Sequence, residues 1–66
     1  MSPFERLDVV ELMADHGRLR AGTTGVVLEP PQDGGVVVEV FGSGGYTVDV
    51  ATLPVDRLRL IKRPER

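Results

Sequence analysis

The 66-residue chain has no cysteine and no tryptophan. Without thiols it can form neither a disulfide nor a thiolate metal site, so a hydrophobic core has to carry the fold. The lack also suits a reducing compartment. Histidine occurs once, as His16 in "ADHGR", and a single imidazole with no tight carboxylate cluster does not make a metal site. Serine is confined to Ser2 and Ser43, neither in the setting of a nucleophile. The run "GSGG" lacks the lysine and the following helix that let a glycine loop hold phosphate. Aromatics are Phe4, Phe41 and Tyr46 alone, too few for a proline-ligand groove or a platform for stacked bases. These gaps argue against an enzyme, and no cofactor or metal is expected. No apolar run approaches the roughly 20 residues that cross a bilayer. "MSPFERLD" reaches its first acid at Glu5 without the apolar core of a signal peptide. The expectation is a cytoplasmic protein that does not associate with membranes.

Basic residues are also missing from the middle of the chain. Between Ala21 and Asp56 there are five acids (Glu29, Asp33, Glu39, Asp49, Asp56) and no lysine or arginine. The last ten residues then hold five bases, Arg57, Arg59, Lys62, Arg63 and Arg66. Net charge is −2, with an acidic body and a basic end. Such a distribution is either an ordinary solvated surface or an acidic face that meets a basic partner.

What is abundant is valine, cut by glycine. "GVVLE" (Gly25 to Glu29), "VVVEVF" (Val36 to Phe41) and "YTVDVATL" (Tyr46 to Leu53) are β-branched and aromatic runs bounded by glycine and proline, which predicts three strands. Alternation places Val36, Val38 and Val40 inward and Val37, Glu39 and Phe41 outward. In the next strand it places Tyr46, Val48 and Val50 inward, with Thr47, Asp49 and Ala51 outward. "PPQDGG" and "GSGG" supply the positive φ values of tight connections, and Pro30 and Pro31 are expected to stop the strand before them. Pro54 in "LPVD" favours a single 3₁₀ turn. "RLRLI" follows as a last strand, Leu58 and Leu60 inward, Arg57, Arg59 and Ile61 outward.

The N-terminal segment reads two ways. Ser2, Pro3 and Glu5 suit a helix capping box, Phe4, Leu7 and Val10 sit at helical spacing, and Gly17 suits a helix end. As a strand, "LDVVEL" puts Val10 and Leu12 on one face and Leu7 and Val9 on the other. A small β domain needs an early strand beside its last one, so the strand is preferred. The result is one domain over residues 5–62 with loose ends at 1–4 and 63–66. Its fold class is all-β, a small five-stranded SH3-like barrel with a 3₁₀ turn before the last strand.

"LRAGTTGVVLE" resembles the segment that opens the second strand of several SH3-like barrels, among them KOW-type domains and the C-terminal domain of nitrile hydratase β subunits. The frame "LDVVEL", "LRAGTTGVV", "VEVF", "ATLPVDRLRLI" is similar to a bacterial family of stand-alone small SH3-like domains classed as a domain of unknown function. The likeness covers Leu7 to Ile61, with Gly22 to Val27 and Thr52 to Leu58 its most specific pieces; an aromatic expected in the third strand is replaced within "VVVEVF". Some members lie beside toxin-like or nuclease-like proteins, which implies an antitoxin or immunity role.

Three functional readings follow. In the first, Val37, Glu39, Phe41, Thr47 and Asp49 form an acidic, partly apolar protein-binding face for a basic partner, such as a toxin or nuclease encoded nearby. Glu39 and Asp49 resemble a catalytic carboxylate pair if they face each other, but on an open sheet such acids serve solubility. In the second, Arg18, Arg20, Arg57, Arg59 and Lys62 form a KOW-like nucleic-acid patch, since first and last strands are neighbours in such barrels. In the third, edge strands pair with a second copy or a larger enzyme, as a structural subunit.

Overall fold

Among the described residues nine hydrophobic side chains form the core, Phe4 and eight contributed by all five strands: Val10, Leu12, Val27, Val36, Val38, Val40, Leu53 and Leu58. The computed structural model describes residues 3–42 and 46–64. Its strands are β1 (Val9–Leu12), β2 (Thr24–Gln32), β3 (Gly35–Phe41), β4 (Thr47–Pro54) and β5 (Leu58–Lys62), with a 3₁₀ turn at Val55–Arg57. All pairings are antiparallel within one sheet, in the order β4-β3-β2-β1-β5. A single sheet whose five strands all feed one cluster has to curl around it. Among the described residues β4 and β5 are not hydrogen-bonded to each other, so the sheet keeps two edges.

Val9–Leu12 is a strand, as topology demanded. It lies between β2 and β5, buries Val10 and Leu12, and leaves Val9 half-buried. Along β3 burial alternates without a break, with Val36, Val38 and Val40 inward. Asp33 and Gly34 both have positive φ (54° and 80°) between Gln32 and Gly35, which pair. This is the two-residue turn whose twist matches a hairpin, and aspartate followed by glycine suits it. The connection expected at "GSGG" falls on residues 43–45, outside the described residues.

Three expectations need correction. Pro30 and Pro31 do not end β2, which continues to Gln32. β1 reaches only as far as Val26, so the prolines lie where β2 has one neighbour, and the β2–β3 register shifts on either side of Glu29. Prolines are tolerated where a strand has an open side or a bulge. In β4 the facing is reversed: Tyr46 is 78% exposed and Val50 51% exposed, while Leu53 is buried and Ala51 packs against the core. The pairs Val38↔Ala51 and Val36↔Leu53 fix this, because directly opposed residues share a face. Tyr46 and Val50 both face solvent, so the expected alternation holds with its two faces exchanged. The side chain of Val48 lies outside the described residues. On β5, Leu58 is buried as expected but Leu60 is 40% exposed. Leu60 shares the face of its partner Val10, yet β5 is an edge strand and its register slips just beyond that pair.

In Gly22 to Val27 the backbone itself requires both glycines. Gly22 turns the chain at φ 95° and donates to the Leu12 carbonyl at 2.7 Å. A Cβ at Gly25 would lie 2.6 Å from both the Glu39 carbonyl oxygen and Val38 Cγ1, so β2 crosses β3 too closely there for any side chain. Phe4 and Arg63 lie outside the expected 5–62 span. Phe4 is buried in the core, and Arg63 bonds Asp8 through Nε at 3.1 Å and through a terminal nitrogen at 3.0 Å.

Candidate protein-binding face

Glu39 occupies the middle of the outer surface of the sheet. It is opposed by Val26 on β2 and by Val50 on β4, and Val9 on β1 pairs with Val26. In the flanking rows Val37 is opposed by Glu29 and Thr52, and Phe41 by Thr24 and Thr47. Val9, Val26, Val37, Glu39 and Phe41 are each half-buried, and Val50 is exposed. The outer face is therefore an apolar lattice of four valines and a phenylalanine around one carboxylate, with Glu29 at its margin. Among the described residues Glu39 has no ion pair and no side-chain hydrogen bond, and no base follows it along β3 or β4.

Of the five residues expected to form this face, Val37, Glu39 and Phe41 come together, and Thr47 holds the register position opposite Phe41. Asp49 does not join them. It pairs with Val40, on the opposite parity from Glu39, and its carboxylate accepts the Val50 amide at 2.8 Å. The Glu39–Asp49 carboxylate pair is therefore not formed. Asp49 instead occupies a backbone donor on an edge strand, which makes that edge a poorer template for another chain. Val26 and Val50 belong to the face and were missed. Val50 was hidden by the reversed facing of β4, and the pairing of Leu53 with the core was the sequence signal for the true parity.

Of the bases expected to share a nucleic-acid patch, Arg18, Arg20, Arg57 and Arg59 lie toward the Leu12 end of β1, and the last two are already engaged. Arg59 is ion-paired with Glu11, to which its Nε also donates at 3.1 Å. Arg57 donates to the Asp15 carbonyl at 3.4 Å. Arg18 and Arg20 lie in the β1–β2 loop, near the Leu12 end of β1, whereas Lys62 pairs with Val9 at the other end. Phosphate-backbone binding requires several free bases on one surface; here Lys62 stands apart from the other four, and Arg59 is held by Glu11.

A different charge cluster fastens the chain ends. Glu5 and Asp8 close a turn, the Asp8 amide donating to the Glu5 carbonyl at 3.1 Å and the Asp8 carboxylate accepting the Glu5 amide at 2.8 Å. Leu7 takes φ 73° in this turn. Asp8 is fully buried, and Arg63 bonds both its oxygens while lying 3.4 Å from Glu5. Burial pushes the Asp8 carboxyl up, but the Arg63 guanidinium and the Glu5 amide more than offset this and hold it below the usual carboxylate range. Asp8 in turn holds Arg63 more firmly in its charged form.

No family model, curated protein or solved structure matches this chain. Function therefore has to be argued from the surface itself. Among the described residues no group of three or more His, Cys, Asp or Glu side chains is placed to hold a metal ion, and no helix is long and apolar enough to cross a membrane.

Proposed function

We propose that the chain is a non-enzymatic protein-binding module whose outer sheet face docks a basic protein. The observation that carries this reading is Glu39, a half-buried carboxylate with no cation partner among the described residues, ringed by Val26, Val37, Phe41 and Val50. An apolar patch with one unsatisfied charge at its centre has the composition of a small interface core. A lysine or arginine brought to Glu39 by the partner would be shielded from water by the surrounding valines, where a charge-assisted hydrogen bond is strongest. The acidic middle of the chain steers a basic partner toward that face. The resemblance to small SH3-like domains gives the partner its proposed class, a toxin or nuclease masked in an antitoxin- or immunity-type complex in the bacterial cytoplasm.

The test is capture from the native host at modest salt by the wild type and by a Glu39→Lys, Val50→Lys variant, with and without nuclease. Both substitutions lie on the solvent side of the sheet, so the variant is expected to fold. A basic protein held by the wild type through nuclease treatment and lost by the variant is the expected result. Equal capture by both proteins removes this face from the account, and a signal that disappears with nuclease replaces the reading with nucleic-acid binding.

A further inference from the structure

At the end of the molecule where the β1–β2 loop meets the end of β3 is a cleft of about 240 Å³, lined by Arg18, Leu19, Arg20, Thr23, Val40, Phe41 and Gly42. Its rim and floor differ in chemistry. The floor is apolar: Val40 is a core residue, Leu19 packs against the core, and Phe41 is half-buried. The rim carries two guanidinium groups, Arg18 and Arg20, on either side of Leu19. The loop is held in place by paired backbone bonds between His16 and Leu19 at 2.8 and 2.9 Å, so the arginines stand on an ordered support.

Neither arginine has an acid partner among the described residues. Asp15, the acid in the same loop, has its carboxylate on the Ala21 amide at 2.9 Å. Two cations left unpaired beside an apolar floor, in a chain of net charge −2, call for an anion from outside. The cleft is smaller than the roughly 300–1,000 Å³ of pockets that hold whole cofactors, so it suits one side chain with one charged group. The overall negative charge opposes an extended polyanion but not a single carboxylate. A peptide C-terminus offers the required geometry, because its carboxylate and its last side chain leave the same carbon. A carboxylate within a chain would have to carry peptide past the loop in both directions.

We propose that this cleft binds the free C-terminal carboxylate of a peptide ending in an aliphatic residue. Arg18 and Arg20 clasp the carboxylate, the Thr23 side chain lies beside it, and the aliphatic side chain rests on Leu19, Val40 and Phe41. The cleft adjoins the outer face through Phe41, which the two share, but its charged groups Arg18 and Arg20 are not part of that face and its ligand has the opposite charge.

Titration followed by amide NMR tests it directly, with acetyl-Gly-Gly-Val-Leu as the free acid and as the C-terminal amide. The acid is expected to shift the amides of Leu19, Thr23 and Gly42 in a saturable way, and the terminal amide to bind at least tenfold more weakly. Arg18→Gln with Arg20→Gln should weaken the acid by a similar factor while the rest of the spectrum stays unchanged, since both side chains are exposed. Equal shifts by acid and amide, no shifts at these residues, or full binding by the double variant would each overturn the proposal. Shifts at the same residues from a thymidine hexamer, with none from the peptide, would overturn it in favour of nucleic acid.

Discussion

Asp8 and Glu39 are both carboxylates next to valine-rich strands, yet their surroundings are opposite. Asp8 is fully buried, and both its oxygens are bonded within the chain, to Arg63 and to the Glu5 amide. Glu39 is half-buried on the outer face, between Val26 and Val50, with no cation beside it among the described residues. A buried charge whose hydrogen bonds are all closed internally has no capacity left for a ligand, and removing it disturbs the fold. A half-buried charge with open hydrogen-bonding positions contributes little to folding and keeps its capacity for a partner. The comparison thus separates a fastening from a candidate contact by where each carboxylate finds its donors.

The largest expected effect is at the fastening. Asp8→Ala leaves the Glu5 amide and the Arg63 guanidinium without their acceptor and should lower stability by about 2–3 kcal/mol, read as a shift in the denaturant midpoint. Acid should expose the same contact. The folded-state value of Asp8 lies below its unfolded value, so its contribution is complete above about pH 4 and is lost as pH falls through the folded value. Wild type should therefore lose stability more steeply than Asp8→Asn on acidification through that window; parallel profiles would remove Asp8 from the account. A smaller effect of opposite sign is expected at Leu7, whose left-handed φ costs about 1–2 kcal/mol for a residue with a side chain. Part of that is returned as added flexibility of the unfolded chain, so Leu7→Gly should stabilise by about 0.5–1 kcal/mol in the same denaturant measurement. The smallest is Glu39→Gln, which should change stability by less than about 0.5 kcal/mol. A larger loss there would mean that Glu39 is a structural residue and that the comparison fails.

Much of this arrangement was legible in the sequence, for physical reasons that can be named. The period-two valines of β3 have one solution, because placing Glu39 inward would bury an unpaired charge. Asp33-Gly34 and Pro54 are local signals that needed no tertiary information to read as a tight turn and a 3₁₀ turn. β1 could be decided only from the need of the last strand for a neighbour, since its own pattern also fits a helix. β4 was misread because the positions opposite the inward Val40 and Val38 are Asp49 and the small Ala51, while the larger apolar Val50 faces solvent. That error hid Val50 and placed Asp49 on the wrong face. The bond between Asp8 and Arg63 spans 55 residues, and no spacing rule links such positions. The pairing of Arg59 with Glu11 across neighbouring strands, 48 residues apart in sequence, was likewise invisible.

The central claim is that Glu39 is held open for a cation on a partner. Its most direct test is calorimetric titration of the captured basic protein with wild type and Glu39→Gln at low and physiological salt. The account predicts that Glu39→Gln weakens binding at least tenfold and flattens its salt dependence, with stability unchanged. Equal affinity and equal salt dependence for the two proteins would contradict it.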